Sequence, residues 1–140
     1  MTIKALSPNL SVSPQLASSQ IPGAASANGF RSIICNRPDG EEPGQPSCAE
    51  IESAAREAGL AFQHVPVWGK DFTPQAIAAF AEALETLPKP VLAFCRTGTR
   101  SAVLWALSNN GSLTADERIR TGARAGFDFE PWREQMEGDL

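Results

Sequence analysis

Two periods of hydrophobic and polar residues alternate along this chain. Leu10-Ser-Val-Ser13, Arg31-Ser-Ile-Ile-Cys-Asn36, Phe62 to Val67 and Val91-Leu-Ala-Phe94 read as strands. The last is apolar on both faces, which marks a central strand of a parallel sheet. Between them the period lengthens. Ile51, Ala54, Ala55 and Ala58 recur at helical spacing behind Ser47, and Glu50 completes a capping box with that serine. Gly59 ends this helix. Thr73-Pro74 opens the next, with Ile77, Phe80, Leu84 and Leu87 on one face. A helix apolar nearly all round follows Cys95 and is expected to end near Asn110-Gly111. Thr114 with Glu117 forms a second capping box, for a helix ending near Gly126. Short helices are expected in two further places: the tail through Trp132, and Ala17 to Asn28, where Pro22 and Gly23 break the pattern.

Strands alternating with helices predict an α/β fold, a single domain over residues 1–140 with a mainly parallel sheet of four to five strands flanked by helices. In such sheets the binding crevice lies beyond the carboxyl ends of the strands. Three strand ends here carry chemistry: Cys35 to Asp39, Trp68 to Asp71, and the loop that starts at Cys95. They are expected to meet.

Composition narrows the class. With 140 residues, 42% hydrophobic and 20% charged, the chain has the balance of a soluble domain with one core. A net charge of −4 and the lack of any basic block argue against nucleic acid as a partner. No run approaches a membrane span, and the N-terminus has no apolar signal region, so a cytoplasmic location is expected. The 3 cysteines stand 13 and 47 residues apart and the only histidine is His64, a spacing without the close pairs of zinc sites. No metal and no cofactor are expected. Cys35 reads as packing or a resolving thiol, Cys48 as an exposed residue of a first helical turn, and His64 as a structural or edge residue.

Cys95-Arg-Thr-Gly-Thr-Arg-Ser101 carries the chemistry. Strand, tight polar loop and helix in that order put a thiol at a helix N-terminus, where unpaired N–H groups and the positive end of the dipole converge. Such a field favours the reactive thiolate and holds an anion beside it. Arg100 is the expected anion binder, bidentate if its fork is aimed. Arg96 either steers anions at the entrance or is surface charge. Gly98 is expected to adopt a conformation closed to other residues. Thr97 and Thr99 contribute backbone amides, and Ser101 either bonds the thiolate or caps the helix. Asp71 is the candidate general acid or a solvated loop residue. Asn36, Arg37 and Asp39 are candidates for the pocket rim, although Arg37 and Asp39 could instead pair in a turn.

These segments resemble a known family. Ile33-Ile-Cys-Asn-Arg-Pro-Asp-Gly-Glu-Glu42, Pro90 to Ser101 and Ala123-Arg-Ala-Gly-Phe-Asp128 are similar to the phosphatase-like, rhodanese-like domain of bacterial beta-lactamase-hydrolase-like proteins, over about residues 5–132. The resemblance implies a dual-specificity-phosphatase-like fold with a loop like that of rhodanese sulfurtransferases. It also implies a role in sulfide detoxification, with a persulfide dioxygenase as partner, fused or encoded nearby; no second domain is expected within these residues.

Cysteine phosphatases place five residues between nucleophile and arginine, whereas four stand between Cys95 and Arg100 here. That tighter arc favours a single sulfur atom over a phosphoryl group. The expected activity is therefore sulfur transfer: Cys95 takes sulfane sulfur from thiosulfate or a persulfide and passes it to a thiol such as glutathione. The alternative is a cysteine-dependent phosphatase, with Cys95 as nucleophile, Arg100 as phosphate binder and Asp71 as acid. A non-catalytic anion or redox sensor is the third reading.

Overall fold

The computed structural model describes residues 2–108 and 113–138. Five strands form one sheet: β1 (Lys4–Ser7), β2 (Leu10–Ser13), β3 (Ser32–Cys35), β4 (Ala61–His64) and β5 (Val91–Phe94). Their order is β1-β2-β5-β3-β4, with β5 central. The pairs β2/β5, β5/β3 and β3/β4 are parallel, and only β1 runs antiparallel, against β2. This is the mainly parallel α/β sheet expected from the sequence. β1 was not anticipated, because of its four residues only Leu6 is buried. A four-residue edge strand with one inward side chain carries almost no period.

Alternate side chains of the central strands feed two cores. Val91, Ala93 and Ile34 face α3 (Pro74–Thr86) and α4 (Thr99–Ser108), whose Phe80, Leu84 and Leu104 pack on them. Leu92, Phe94 and Ile33 face the other way, onto α1 (Ile21–Ser26) and α2 (Cys48–Glu57) through Ile21 and Ile51. β5 is buried along its whole length because it is covered on both sides. α4 is buried from Ser101 to Leu107, as an all-round apolar helix must be. Its expected end at Asn110-Gly111 lies outside the described residues. α5 (Ala115–Ala125) and α6 (Arg133–Glu137) close the α4 side.

Capping chemistry sets the helix starts. Thr114 and Glu117 form the full box at α5, and Gly126 ends that helix in the left-handed region. Thr73 caps α3 through the Ala76 amide, with Pro74 in the first turn. Ser47 accepts from the Glu50 amide at 3.1 Å, and Asp39 Oδ1 accepts from the Cys48 amide at 2.7 Å, so α2 is capped twice. No described helix is long and apolar enough to cross a membrane.

α5 also carries a close approach. A Cβ on Gly122 would stand 2.4 Å from the ring of Phe129, which is fully buried. Gly122→Ala gains about 1 kcal/mol of helix propensity, but overpacking a fixed ring costs about 1–3 kcal/mol. The expected result is a net loss of up to about 2 kcal/mol, seen as a lower urea midpoint at unchanged slope.

Candidate active site

The reactive loop begins where β5 ends. Cys95 is fully buried, and its sulfur accepts the Gly98 amide at 3.1 Å. Gly98 makes that turn at φ +92°, a conformation L side chains rarely adopt, with the Ser13 backbone 3.4 Å from where a Cβ would stand. α4 starts one residue later, so its first-turn amides point into the loop. The Thr97 hydroxyl donates to the Thr99 hydroxyl at 3.1 Å and also accepts from the Thr99 amide.

Arg100 reaches across to a loop that the sequence left without a role. Its Nη1 and Nη2 donate to Glu41 Oε2 and Oε1 at 2.7 and 2.8 Å, and Nη1 also donates to the Val67 carbonyl at 2.7 Å. Nη1 has spent both protons, and one Nη2 proton is used. Among the described residues no oxygen takes the edge formed by Nε and the second Nη2 proton; Arg100 also hydrogen-bonds the Cys95 sulfur, and this is the edge a bidentate anion would take beside it. Hydrogen bonding to Glu41 raises the pKa of Arg100 above its ordinary value, and the nearby Cys95 sulfur acts in the same direction.

Glu41 is itself held. Arg37 donates to it through Nε at 2.9 Å, to Gln15 through Nη1 at 3.0 Å, and to Glu42 through Nη2. Only 3% of the Arg37 side chain is exposed. Arg96 completes the set with an ion pair to Glu42 at 3.2 Å. Three guanidiniums thus face two carboxylates, an excess of one positive charge among these five groups. The Arg100 and Arg37 hydrogen bonds hold the Glu41 carboxyl down to about 2, from 4.5.

Several residues stand elsewhere than expected. Asn36 is not on the rim; it is fully buried, and its Nδ2 donates to the Val65 carbonyl at 2.8 Å. Ser101 donates to Asn36 Oδ1 at 2.7 Å rather than to the Cys95 sulfur, which pins the start of α4 to the end of β3. Arg37 and Asp39 do not pair with each other: one carries the glutamates, the other caps α2. Cys48 is buried, not exposed, and lies against Cys35 on the α2 side of the sheet. Among the described residues, the ligand atoms of Cys35, Cys48 and His64 lie within 4.8 Å of one another, a grouping that the sequence spacing did not suggest.

The three strand ends do converge. Glu41 and Glu42, then Gly69, Lys70 and Phe72, then Arg96, Thr97, Thr99 and Arg100 line one cavity of about 650 Å³, closed by Val103 and Trp132. Phe72 and Trp132 meet edge to face at 5.9 Å and form its apolar wall. Asp71 is exposed between two wall residues and is not itself part of the wall. Glu41, Lys70, Phe72 and Trp132 were missed; only the acidic pair Glu41-Glu42 beside Arg37 gave a signal, as charge with nowhere obvious to go.

Residues 2–112 match the family model described as the phosphatase-like domain of beta-lactamase hydrolase-like protein. The chain belongs to that family. It is 47% identical over 103 residues to the beta-lactamase hydrolase-like protein of Xylella fastidiosa, covering 72% of this chain and 24% of the relative. It therefore spans about a quarter of that relative's length. Among solved structures it is similar to a candidate phosphatase from Neisseria meningitidis Z2491, at 36% identity and TM-score 0.85, covering 100% of this chain and 99% of that one. It shares the fold of PTPMT1, with TM-score 0.75 at 13% identity over 98% of this chain and 92% of that one.

These findings overturn sulfur transfer as the activity. Family and neighbours are phosphatase-like, so the length of the loop does not decide the class. Arg96, Thr97, Thr99 and Arg100 of the loop face a cavity of about 650 Å³, which the fully buried Cys95 does not line.

Glu41 gives a pH signature. A carboxyl lowered from 4.5 to about 2 stabilises the fold fully above its ordinary value and loses that contribution as pH falls through about 2. Glu41→Gln should cost about 1.5–3 kcal/mol at pH 7 through weakened charged hydrogen bonds. Its melting temperature should then fall less steeply than that of the native chain as pH drops from 4.5 towards 2.

Proposed function

We propose that this domain hydrolyses phosphate monoesters through a cysteinyl-phosphate on Cys95. The observation that carries this reading is the Nε–Nη2 edge of Arg100, free of protein oxygens and held beside the Cys95 sulfur by Glu41. Two phosphate oxygens would take that edge, and the first-turn amides of α4 would face the third. The Cys95 thiolate attacks phosphorus; an S–P bond forms as the ester P–O bond breaks. The leaving oxygen takes a proton. Water then attacks the phosphocysteine, inorganic phosphate departs and the thiolate returns.

Asp71 is our proton donor. Glu41 is ionised and committed to two arginines, and Glu42 is paired with Arg37 and Arg96. Asp71 stands between Lys70 and Phe72, both on the cavity wall, in a loop that precedes α3. In this reading the loop turns its carboxyl towards the leaving oxygen. Because Cys95 is fully buried, the cycle also includes an opening of the loop that covers the sulfur. The Phe72–Trp132 wall favours an apolar or aromatic ester group, and Lys70 and Arg96 favour further negative charge at the mouth.

Two esters test the assignment: an aryl phosphate with an acidic leaving group and an alkyl phosphate. Cys95→Ser should abolish turnover of both, and Arg100→Lys should slow both by about 100-fold or more. Asp71→Asn should slow the alkyl ester by about 100-fold and the aryl ester far less, since its leaving group needs no proton. Equal turnover by the native chain and Cys95→Ser would overturn the proposal.

A further inference from the structure

On the face of the sheet away from the reactive loop's cavity, three metal-ligating side chains converge. Cys35 ends β3, His64 is its partner in register at the end of β4, and Cys48 opens α2. Their ligand atoms all lie within 4.8 Å of one another. Catalysis as described uses none of them. We propose that Cys35, Cys48 and His64 form a binding site for one thiophilic d10 cation, with zinc as the reference ion.

The donor set selects the ion. Two thiolates and an imidazole are soft to borderline ligands, suited to zinc and poor for magnesium or calcium. A tetrahedral zinc with Zn–S bonds of about 2.3 Å spans ligand edges of about 3.8 Å, so a contraction of about 1 Å at most closes the cage. The surroundings favour a neutral product. Both cysteines belong to the apolar cluster under α2, and a divalent ion with two thiolates carries no net charge. Burial pushes the thiols up to about 12 for Cys35 and about 11 for Cys48, so in the metal-free chain both are protonated.

The outer contacts match those of bound metal ions. His64 Nε2 lies 3.0 Å from the Arg37 carbonyl, and a metal-bound histidine keeps its second ring nitrogen on such a partner. Cys35 also donates to that carbonyl, at 3.4 Å, in a contact the metal would replace. Asp39 holds the Cys48 amide at 2.7 Å and sets a negative charge beside both thiols, which opposes thiolate formation without a cation and favours it with one. His64 is exposed and gives the ion a way in. Binding is a simple exchange: the cation enters, two thiol protons leave to solvent, and nothing is oxidised or reduced.

The reduced, metal-free full chain is titrated with zinc against a chromophoric chelator, and with cadmium while thiolate-to-metal absorbance is followed. The expected result is one ion per chain. Release of two protons makes affinity fall about 100-fold for each unit of pH lowered below the thiol range. His64→Ala, at an exposed position expected to leave folding intact, should bind at least about tenfold more weakly; Cys48→Ser should lose the absorbance; Cys95→Ser should bind as the native chain does. Binding no tighter than micromolar, or binding that survives His64→Ala and Cys48→Ser and disappears in Cys95→Ser, would overturn the site. These readouts do not involve ester hydrolysis, so either proposal can fail without the other.

Discussion

Arg100 is held near a buried sulfur by Glu41 and the Val67 carbonyl. A guanidinium fork has no intrinsic reason to stay over a strand end, and its side-chain entropy opposes any single pose. Glu41 takes two of its donors and the Val67 carbonyl a third, which fixes the plane of the group and leaves one edge towards the Cys95 sulfur. Glu41 in turn depends on Arg37, whose side chain is buried among Gln15, Glu41 and Glu42. An ion network of this kind adds little net stability but fixes geometry. Here it converts a flexible cation into a positioned anion receptor.

The central sheet aims this network. β5 delivers Cys95, β3 delivers Arg37, and the chain beyond β4 delivers Val67 and then the wall residues Lys70 and Phe72. Asn36 and Ser101 bind the end of β3 to the start of α4 through a buried hydrogen bond. Loss of either partner would leave a buried polar group unpaired.

Most of the fold was legible in the chain because its signals are local. The apolar run Val91–Phe94, the caps at Thr73 and Thr114, and the glycine at 126 each need only neighbouring residues to be read. The reactive loop was legible for the same reason: thiol, glycine and arginine lie within six residues. What was not legible is what the sheet brings together from a distance. Cys35, Cys48 and His64 meet through strand register and a loop of ten residues or more, and no spacing rule contains that. Glu41 and Arg100 stand 59 positions apart. The four-residue spacing of the loop was read correctly and interpreted wrongly, because loop length alone does not set a cavity that Phe72, Val103 and Trp132 also line.

Phosphatase chemistry at this site reduces to whether phosphorus becomes bonded to one sulfur. Rapid mixing of the chain with an activated aryl phosphate, acid quench and peptide mass analysis addresses that directly. The account predicts one phosphoryl group, on the peptide that contains Cys95, appearing within the first turnover and decaying with phosphate release. Ester turnover with that peptide unmodified at every quench time would contradict it.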